Sequence, residues 1–93
     1  MLKVIGGATT LFYTVIDSRH IRIRSTTHLV DGQLAEKISG LAICKYVNDS
    51  GYYLFGCNDQ WDSITDTYHE TIEDAKEQAE FEYTNTIGTW NEI

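Results

Sequence analysis

The residues of this chain that could do chemistry are three histidines, two cysteines and one segment rich in carboxylates. His69 and Glu70 resemble the start of the zinc-binding motif HExxH, but position 73 is Glu where the second histidine is required. Two ligands do not make a zinc site. No serine or cysteine nucleophile motif and no glycine-rich phosphate loop is present. The sequence therefore predicts a protein that is not an enzyme and that holds no metal or cofactor.

The other two histidines have simple structural explanations. His20 follows Asp17 across a tight turn and could form a hydrogen bond or an ion pair with it, and His28 precedes the Asp31-Gly32 turn. A small enzyme that uses one of the histidines with a nearby carboxylate remains a third alternative, because such a pair is the usual apparatus of general acid–base catalysis.

Cys44 and Cys57 match neither a zinc pattern nor a CxxC redox motif. The N-terminal residues lack the apolar stretch of a signal peptide, and no run approaches the length of a membrane span. These observations predict a soluble cytoplasmic protein in which both thiols are reduced and buried.

The segment from 58 to 70 alternates carboxylates, hydroxyl groups and two large aromatic residues. Its spacing is partly that of a calcium loop, but the required glycine is missing and Trp61 occupies the middle. We expect a loop containing Asx turns. Trp61 and Tyr68 would either fold back on the sheet or face a partner.

Alternating apolar and polar residues predict the elements that must position these groups. One hairpin is expected over about 11–17 and 20–27, and a second over 41–47 and 52–57, around a turn at 48–51. Pairing Val47 with Tyr52 would place Cys44 opposite Phe55, which disfavours a disulfide between the two cysteines. Both faces of the second hairpin are largely apolar, which indicates a central position in the sheet.

A helix is predicted over about 72–84, because Thr71 is a suitable N-cap and Asp74 follows three residues later. At helical spacing Phe81 lies opposite the apolar stripe, which consists of Ile72, Ala75, Ala79 and Tyr83. The last five residues could dock as a strand, and residues 31–40 are compatible with either two helical turns or an irregular crossing. The expected fold is a single α+β domain spanning 1–93, with a small antiparallel sheet and a C-terminal helix packed on it.

Charge is distributed unevenly along the chain, whose net charge is −7. Residues 1–47 contain six cations and three acids, whereas residues 48–93 contain Lys76 and eleven acids together with eight of the eleven aromatic residues. An acidic surface repels phosphate, so nucleic acid and anionic membranes are poor partners. Aromatic anchors among carboxylates suit a surface that binds a basic protein. The candidate partner-binding residues are Asp59, Trp61, Asp62, Asp66, Tyr68, Glu70, Glu73, Asp74, Glu77, Glu80 and Phe81.

From Gly40 onward the chain resembles a family of short acidic bacterial proteins of unknown function. The resemblance is carried by the segments GLAICKY at 40–46, GYYLF at 51–55, CNDQW at 57–61, TDTYHET at 65–71, EDAK at 73–76 and QAEFEY at 78–83. It implies a compact antiparallel sheet with a C-terminal helix and supplies no catalytic residues. Small acidic bacterial proteins of this build include immunity proteins that neutralise toxins, often nucleases with basic clefts, and this analogy concerns fold and charge alone.

These observations predict a non-enzymatic binding protein of the immunity or inhibitor type, which neutralises a basic protein such as a bacterial toxin through an acidic and aromatic surface. The alternative is a structural or regulatory module that self-associates as a homodimer through Phe81 and the aromatic segment.

Overall fold

The computed structural model describes residues 3–17, 29–30, 33–34, 38–83, 86 and 88–93. In these residues one helix accompanies eight strands. The strands are β1 (Val4–Ile5), β2 (Ala8–Val15), β3 (Leu29–Val30), β4 (Gln33–Leu34), β5 (Gly40–Lys45), β6 (Tyr52–Cys57), β7 (Ser63–His69) and β8 (Asn91–Glu92), and the helix is α1 (Ile72–Glu82).

Six of these strands form one antiparallel sheet. Its order is β1, β2, β5, β6, β7, and β8 also pairs with β2. The short strands β3 and β4 pair with each other in a separate ladder. The sheet and helix agree with the expected α+β class, and β5 and β6 occupy the central position that their apolar faces indicate.

One side of the sheet, called here the helix side, packs against α1. Its buried residues are Leu41, Ile43 and Leu54 of the sheet and Ala75, Ala79 and Tyr83 at the helix. Ala75 and Ala79 let α1 approach β5, β6 and β7 closely, because a methyl side chain adds little thickness to the interface. Ile72 is partly buried in the same cluster, as the predicted stripe requires.

The other side of the sheet, called here the Trp61 side, has a second core. Ala42, Cys44, Phe55 and Cys57 are buried there together with residues of β1 and β2. The side chains of Tyr46, Tyr53 and Trp61 pack against this cluster. Alternation along β5 and β6 sends successive side chains to opposite cores, so both faces of the central hairpin are apolar.

The expected register of the second hairpin is wrong by two residues. The structure pairs Cys44 with Tyr53 and Ala42 with Phe55, whereas the sequence predicts Cys44 opposite Phe55. The strands separate earlier than expected because the connecting turn is longer, with the Asp49 amide donating to the Tyr46 carbonyl. A shift of two residues preserves the faces, since side chains alternate with period two. Both cysteines are free, as expected.

The first predicted hairpin is not confirmed, because its second strand, about 20–27, lies outside the described residues. Strand β2 pairs with β5 along one edge and with β1 and β8 along the other. Tyr13, for example, lies between Ala42 and Asn91. The docking of residues 91–92 as a strand agrees with the expectation for the end of the chain.

The helix begins where the sequence indicates and ends two residues earlier than the expected 84. The Thr71 side chain accepts a hydrogen bond from the Asp74 amide at 3.0 Å, which is the expected N-cap contact. Tyr83 has extended backbone angles and ends the helix, while its amide still donates to the Ala79 carbonyl. Within the described residues, α1 is too short and too polar to cross a membrane.

Candidate binding surface

The loop that carries Trp61 is organised by one asparagine. The Asn58 side-chain oxygen accepts hydrogen bonds from the amides of Gln60 and Asp62, each at 3.0 Å. The Asn58 carbonyl also accepts from the Trp61 amide at 3.0 Å. This Asx turn allows Trp61 to adopt a φ of 64°, a left-handed conformation that is uncommon for a bulky residue.

The unusual backbone at Trp61 directs its indole onto the sheet. Its ring lies over Gly40 and makes an edge-to-face contact with Tyr13 at 5.9 Å between centroids. The indole is half-buried against the core of the Trp61 side. Of the two alternatives left open by the sequence, Trp61 therefore folds back on the sheet and orders the loop that carries Asp59 and Asp62.

Asp59 and Asp62 are exposed on this loop and contribute to its order. The Asp59 carboxylate accepts a hydrogen bond from the Ser39 hydroxyl, which ties the loop to the residue preceding β5. The Asp62 carboxylate accepts from the Asn58 side-chain amide at 3.4 Å. Both carboxylates remain accessible to a partner.

Tyr68 is more accessible than Trp61 on the same side of the sheet, with 48% of its surface exposed. Its ring covers the backbone of Gly51 and makes an edge-to-face contact with Tyr53 at 5.3 Å. Tyr53 contacts Tyr46 in the same manner, also at 5.3 Å. Burial raises the pKa of Tyr53, and the Asp49 carboxylate, which accepts a hydrogen bond from its hydroxyl group at 3.3 Å, raises it further. Tyr68 is thus the exposed end of a row of tyrosines.

Asp66 stands beside Tyr68 because both belong to β7 and are two residues apart. The expectation that 58–70 forms a loop is wrong for residues 63–69, which pair with the full length of β6. The signal for this strand is the β-branched and aromatic content of positions 64, 65, 67 and 68, which its polar residues obscure. We call the exposed group formed by Asp62, Asp66 and Tyr68 the sheet patch.

A second group of candidates lies on the outer surface of α1. Asp74, Glu77 and Phe81 are three and four residues apart and form one exposed stripe along the helix. Phe81 is 48% exposed. We call this stripe, together with its exposed neighbours Glu70 and Glu73, the helix patch.

Glu80 is directed away from this surface, and its carboxylate stabilises the fold. One of its carboxylate oxygens accepts from both the amide and the hydroxyl of Thr86, at 2.9 and 3.0 Å. Thr86 is fully buried, so these bonds satisfy polar groups that would otherwise be costly to bury. Glu80 therefore ties Thr86 to α1.

His69 connects the end of β7 to the start of α1. Its Nδ1 lies 2.8 Å from the Asp74 carboxylate, and its Nε2 lies 2.7 Å from the Thr67 hydroxyl. Because a carboxylate only accepts, Nδ1 donates to Asp74, and in a neutral imidazole Nε2 accepts from Thr67. Sequence reasoning missed this contact, because its partners are five residues apart in different elements.

The order hydroxyl, imidazole and carboxylate is also that of an activated nucleophile. Thr67, however, is a strand residue within the β6–β7 ladder, and His69 is buried between β7 and α1. The contacts of His69 account for a positional role that fixes the helix N-terminus relative to the sheet. Among the described residues, no group of three histidine, cysteine or acidic side chains is arranged to hold a metal ion.

The two patches lie on opposite sides of the sheet. The helix patch covers the outer surface of α1, whereas Asp66 and Tyr68 point to the Trp61 side. Strand β7 ends the sheet order and runs between them. The lysine of α1, Lys76, is directed elsewhere, because its ammonium group lies 4.2 Å from the ring centroid of Phe12 on β2. The exposed candidates of β7 and α1 therefore form two separate surfaces, one on each side of the sheet.

Comparison of the chain with models of protein families, with curated proteins and with solved structures finds no match. The resemblance to short acidic bacterial proteins stays a prediction.

Proposed function

We propose that this chain is a non-enzymatic binding protein of the immunity or inhibitor type, which neutralises a basic protein partner such as a bacterial toxin. The observation that carries the proposal is the pairing of exposed aromatic surface with carboxylates at Tyr68 and at Phe81. Aromatic side chains supply contact area at low entropic cost, and the surrounding charges favour cationic partners. A cytoplasmic location and the bacterial analogy belong to the same proposal.

The negative charge of the chain supports this function because it raises the rate of association with a basic partner. Residues 48–93 contain eleven acids and one lysine, and the exposed acids of both patches lie on or near β7 and α1. A field of one sign accelerates association with a basic partner, and this acceleration falls as salt shortens the Debye length to about 8 Å at physiological ionic strength. Binding should therefore be salt-sensitive, mainly in its association rate.

The candidate residues divide into those that contact the partner and those that hold the surface in place. Asp66, Tyr68, Glu73 and Glu77 are exposed and are offered as contact residues. In the second group, Trp61 is packed on the sheet, Glu80 binds Thr86 and Asp74 binds His69. Asp62, Glu70 and Phe81 are exposed members of the two patches and belong to the contact group. Asp59, whose carboxylate binds Ser39, belongs to the second group.

The test is binding to the basic protein encoded by a neighbouring gene, with two charge reversals of equal size. Glu77→Lys reverses a carboxylate in the helix patch, and Glu92→Lys reverses one on β8, which pairs with the opposite part of the sheet. Each substitution changes the net charge by two, so nonspecific attraction falls equally in both. We expect Glu77→Lys, and more strongly the pair Glu73→Lys with Glu77→Lys, to weaken binding about tenfold or more, and Glu92→Lys to have a small effect.

Circular dichroism should first establish that the variants fold. Unchanged binding by the folded double variant would contradict a role of the helix patch. Equal losses in Glu77→Lys and Glu92→Lys would show that overall charge, without a defined surface, explains the attraction.

A further inference from the structure

Strand β7 offers a free edge among the described residues. It is the last strand in the order of the main sheet, and its inner edge pairs with β6 from Ser63 to His69. The consecutive residues Asp66, Thr67 and Tyr68 are exposed, and no described strand pairs with their outer edge. Alternate N–H and C=O groups of such an edge point away from the sheet and can pair with another extended chain.

Natural proteins commonly protect an edge strand with charged side chains, lysine above all, with proline, with a β-bulge or with a covering element. The seven residues of β7 contain no lysine and no proline, and Asp66 is their only carboxylate. The helix α1 covers the helix side of β7 and leaves its outer edge open in the described structure. Within the described part of the chain, this edge therefore combines backbone groups that no strand pairs with and one central negative charge.

We propose that β7 binds an extended segment of a basic protein by strand addition, with a lysine or arginine of that segment opposite Asp66 and beside the Tyr68 ring. This inference rests on the proposed function and specifies where the partner binds. Backbone hydrogen bonds supply the common attraction of strand addition, and alternating side chains supply its selectivity. A cation opposite Asp66 forms a favourable cross-strand pair, and the exposed ring of Tyr68 offers a cation–π contact.

Charge disfavours a second copy of this chain as the occupant. Strand β7 runs from 63 to 69, so full antiparallel overlap of two copies places Asp66 opposite Asp66 of the second copy. Like charges directly opposite destabilise a strand pair. A cationic segment removes this repulsion and gains attraction, which is why the observations favour a basic partner.

The probe is a capped heptapeptide of alternating lysine and valine, titrated into the full chain while the backbone amides are followed by NMR. Two further peptides carry N-methyl groups, one on the lysines and the other on the valines. An extended chain presents alternate amides to one edge, so we expect one methylated peptide to lose binding and the other to keep it. The amides of β7 should gain protection from hydrogen exchange only with the peptides that bind.

Side-chain variants test the predicted selectivity. Asp66→Asn should weaken binding of the unmethylated peptide about threefold to tenfold, and the matched variant Glu92→Gln should leave it unchanged. A peptide of alternating glutamate and valine should bind at least tenfold more weakly. Equal binding by both methylated peptides would show that charge attraction, without strand addition, holds the peptide, and would overturn the inference.

Two outcomes separate this inference from the proposed function. If the basic protein binds in a manner that depends on Glu77 while the β7 amides exchange as before, strand addition is wrong and the proposed function stands. If the free chain is a stable dimer with protected β7 amides, the occupant is a second copy and the inference is overturned. If neither the basic protein nor any of the peptides binds the chain, both the proposed function and strand addition are wrong.

Discussion

Replacing Gly40 by alanine is the sharpest test of the packing that holds the Trp61 loop in place. A Cβ atom at position 40 would lie 2.6 Å from the Trp61 Cη2 atom and 2.8 Å from Cζ3. The indole would have to move by about 0.8 Å to reach an ordinary contact of 3.4 Å. It is held by its edge contact with Tyr13 and by the Asx turn of Asn58, so it cannot withdraw freely.

Overpacking of this kind costs about 1–3 kcal/mol. Alanine also reduces the entropy of the unfolded chain relative to glycine, which offsets roughly 0.4–1 kcal/mol. The midpoints of these two ranges give a net loss of about 1.3 kcal/mol in the free energy of unfolding for Gly40→Ala, which lowers the Tm of a domain of this size by roughly 5–10 °C. Urea denaturation followed by circular dichroism measures this loss.

Gly88→Ala is the matched control, because a Cβ atom there would have nothing within 4 Å and Gly88 has no positive φ. Its free energy of unfolding should be unchanged or higher by up to about 1 kcal/mol. In a Trp61→Leu background, which removes the opposing ring, the cost of Gly40→Ala should fall below about 0.5 kcal/mol. Equal stability of Gly40→Ala and Gly88→Ala, or a cost that Trp61→Leu does not reduce, would show that the Trp61 ring does not restrict the space at position 40.

Further predictions concern the buried thiols and His69. Burial raises the pKa of Cys44 to about 11 and that of Cys57 to about 12, so neither thiol should react with a disulfide reagent at pH 8 until urea unfolds the chain. The folded state keeps both thiols protonated above the ordinary thiol pKa of 9.0, so their contribution to the free energy of unfolding is complete below pH 9 and is lost as pH rises toward 11 and 12. Cys57→Ala should reduce this loss of stability at high pH, and an unchanged loss would show that Cys57 is not its source. His69→Gln and Asp74→Asn should each lower the free energy of unfolding by about 1–2 kcal/mol. A double-mutant cycle that finds their effects additive would show that the 2.8 Å contact contributes nothing.

Local signals explain why the helix could be predicted from the sequence. The N-cap contact of Thr71 and the buried pair Ala75 and Ala79 follow from residues within one element, and the structure confirms both. The faces of the central hairpin were also predictable, because side-chain alternation survives a two-residue shift of register. The register itself was not, since it depends on a turn that begins at Tyr46 and leaves Val47 exposed.

The site required tertiary information. Strand β7 lies at the edge of the sheet and is therefore polar. It forms a strand because it pairs with β6, which its own composition does not indicate. Trp61 lies in a polar segment, as an exposed aromatic residue at an interface would. Its packing on Gly40 depends on a left-handed backbone conformation, which the spacing of residues does not indicate. The separation of the acids into two patches likewise follows from the side of the sheet on which α1 packs.

The decisive test of the binding proposal is a hydrogen-exchange footprint of the complex with a basic protein partner. The amides of β7 and of the first turns of α1 should become protected, since these two elements carry the exposed residues of the two patches. The amides of β1 and β8, which pair along the opposite edge of β2, should exchange as in the free chain. Protection confined to β1 and β8 would contradict the assignment of the acidic and aromatic surface as the binding site.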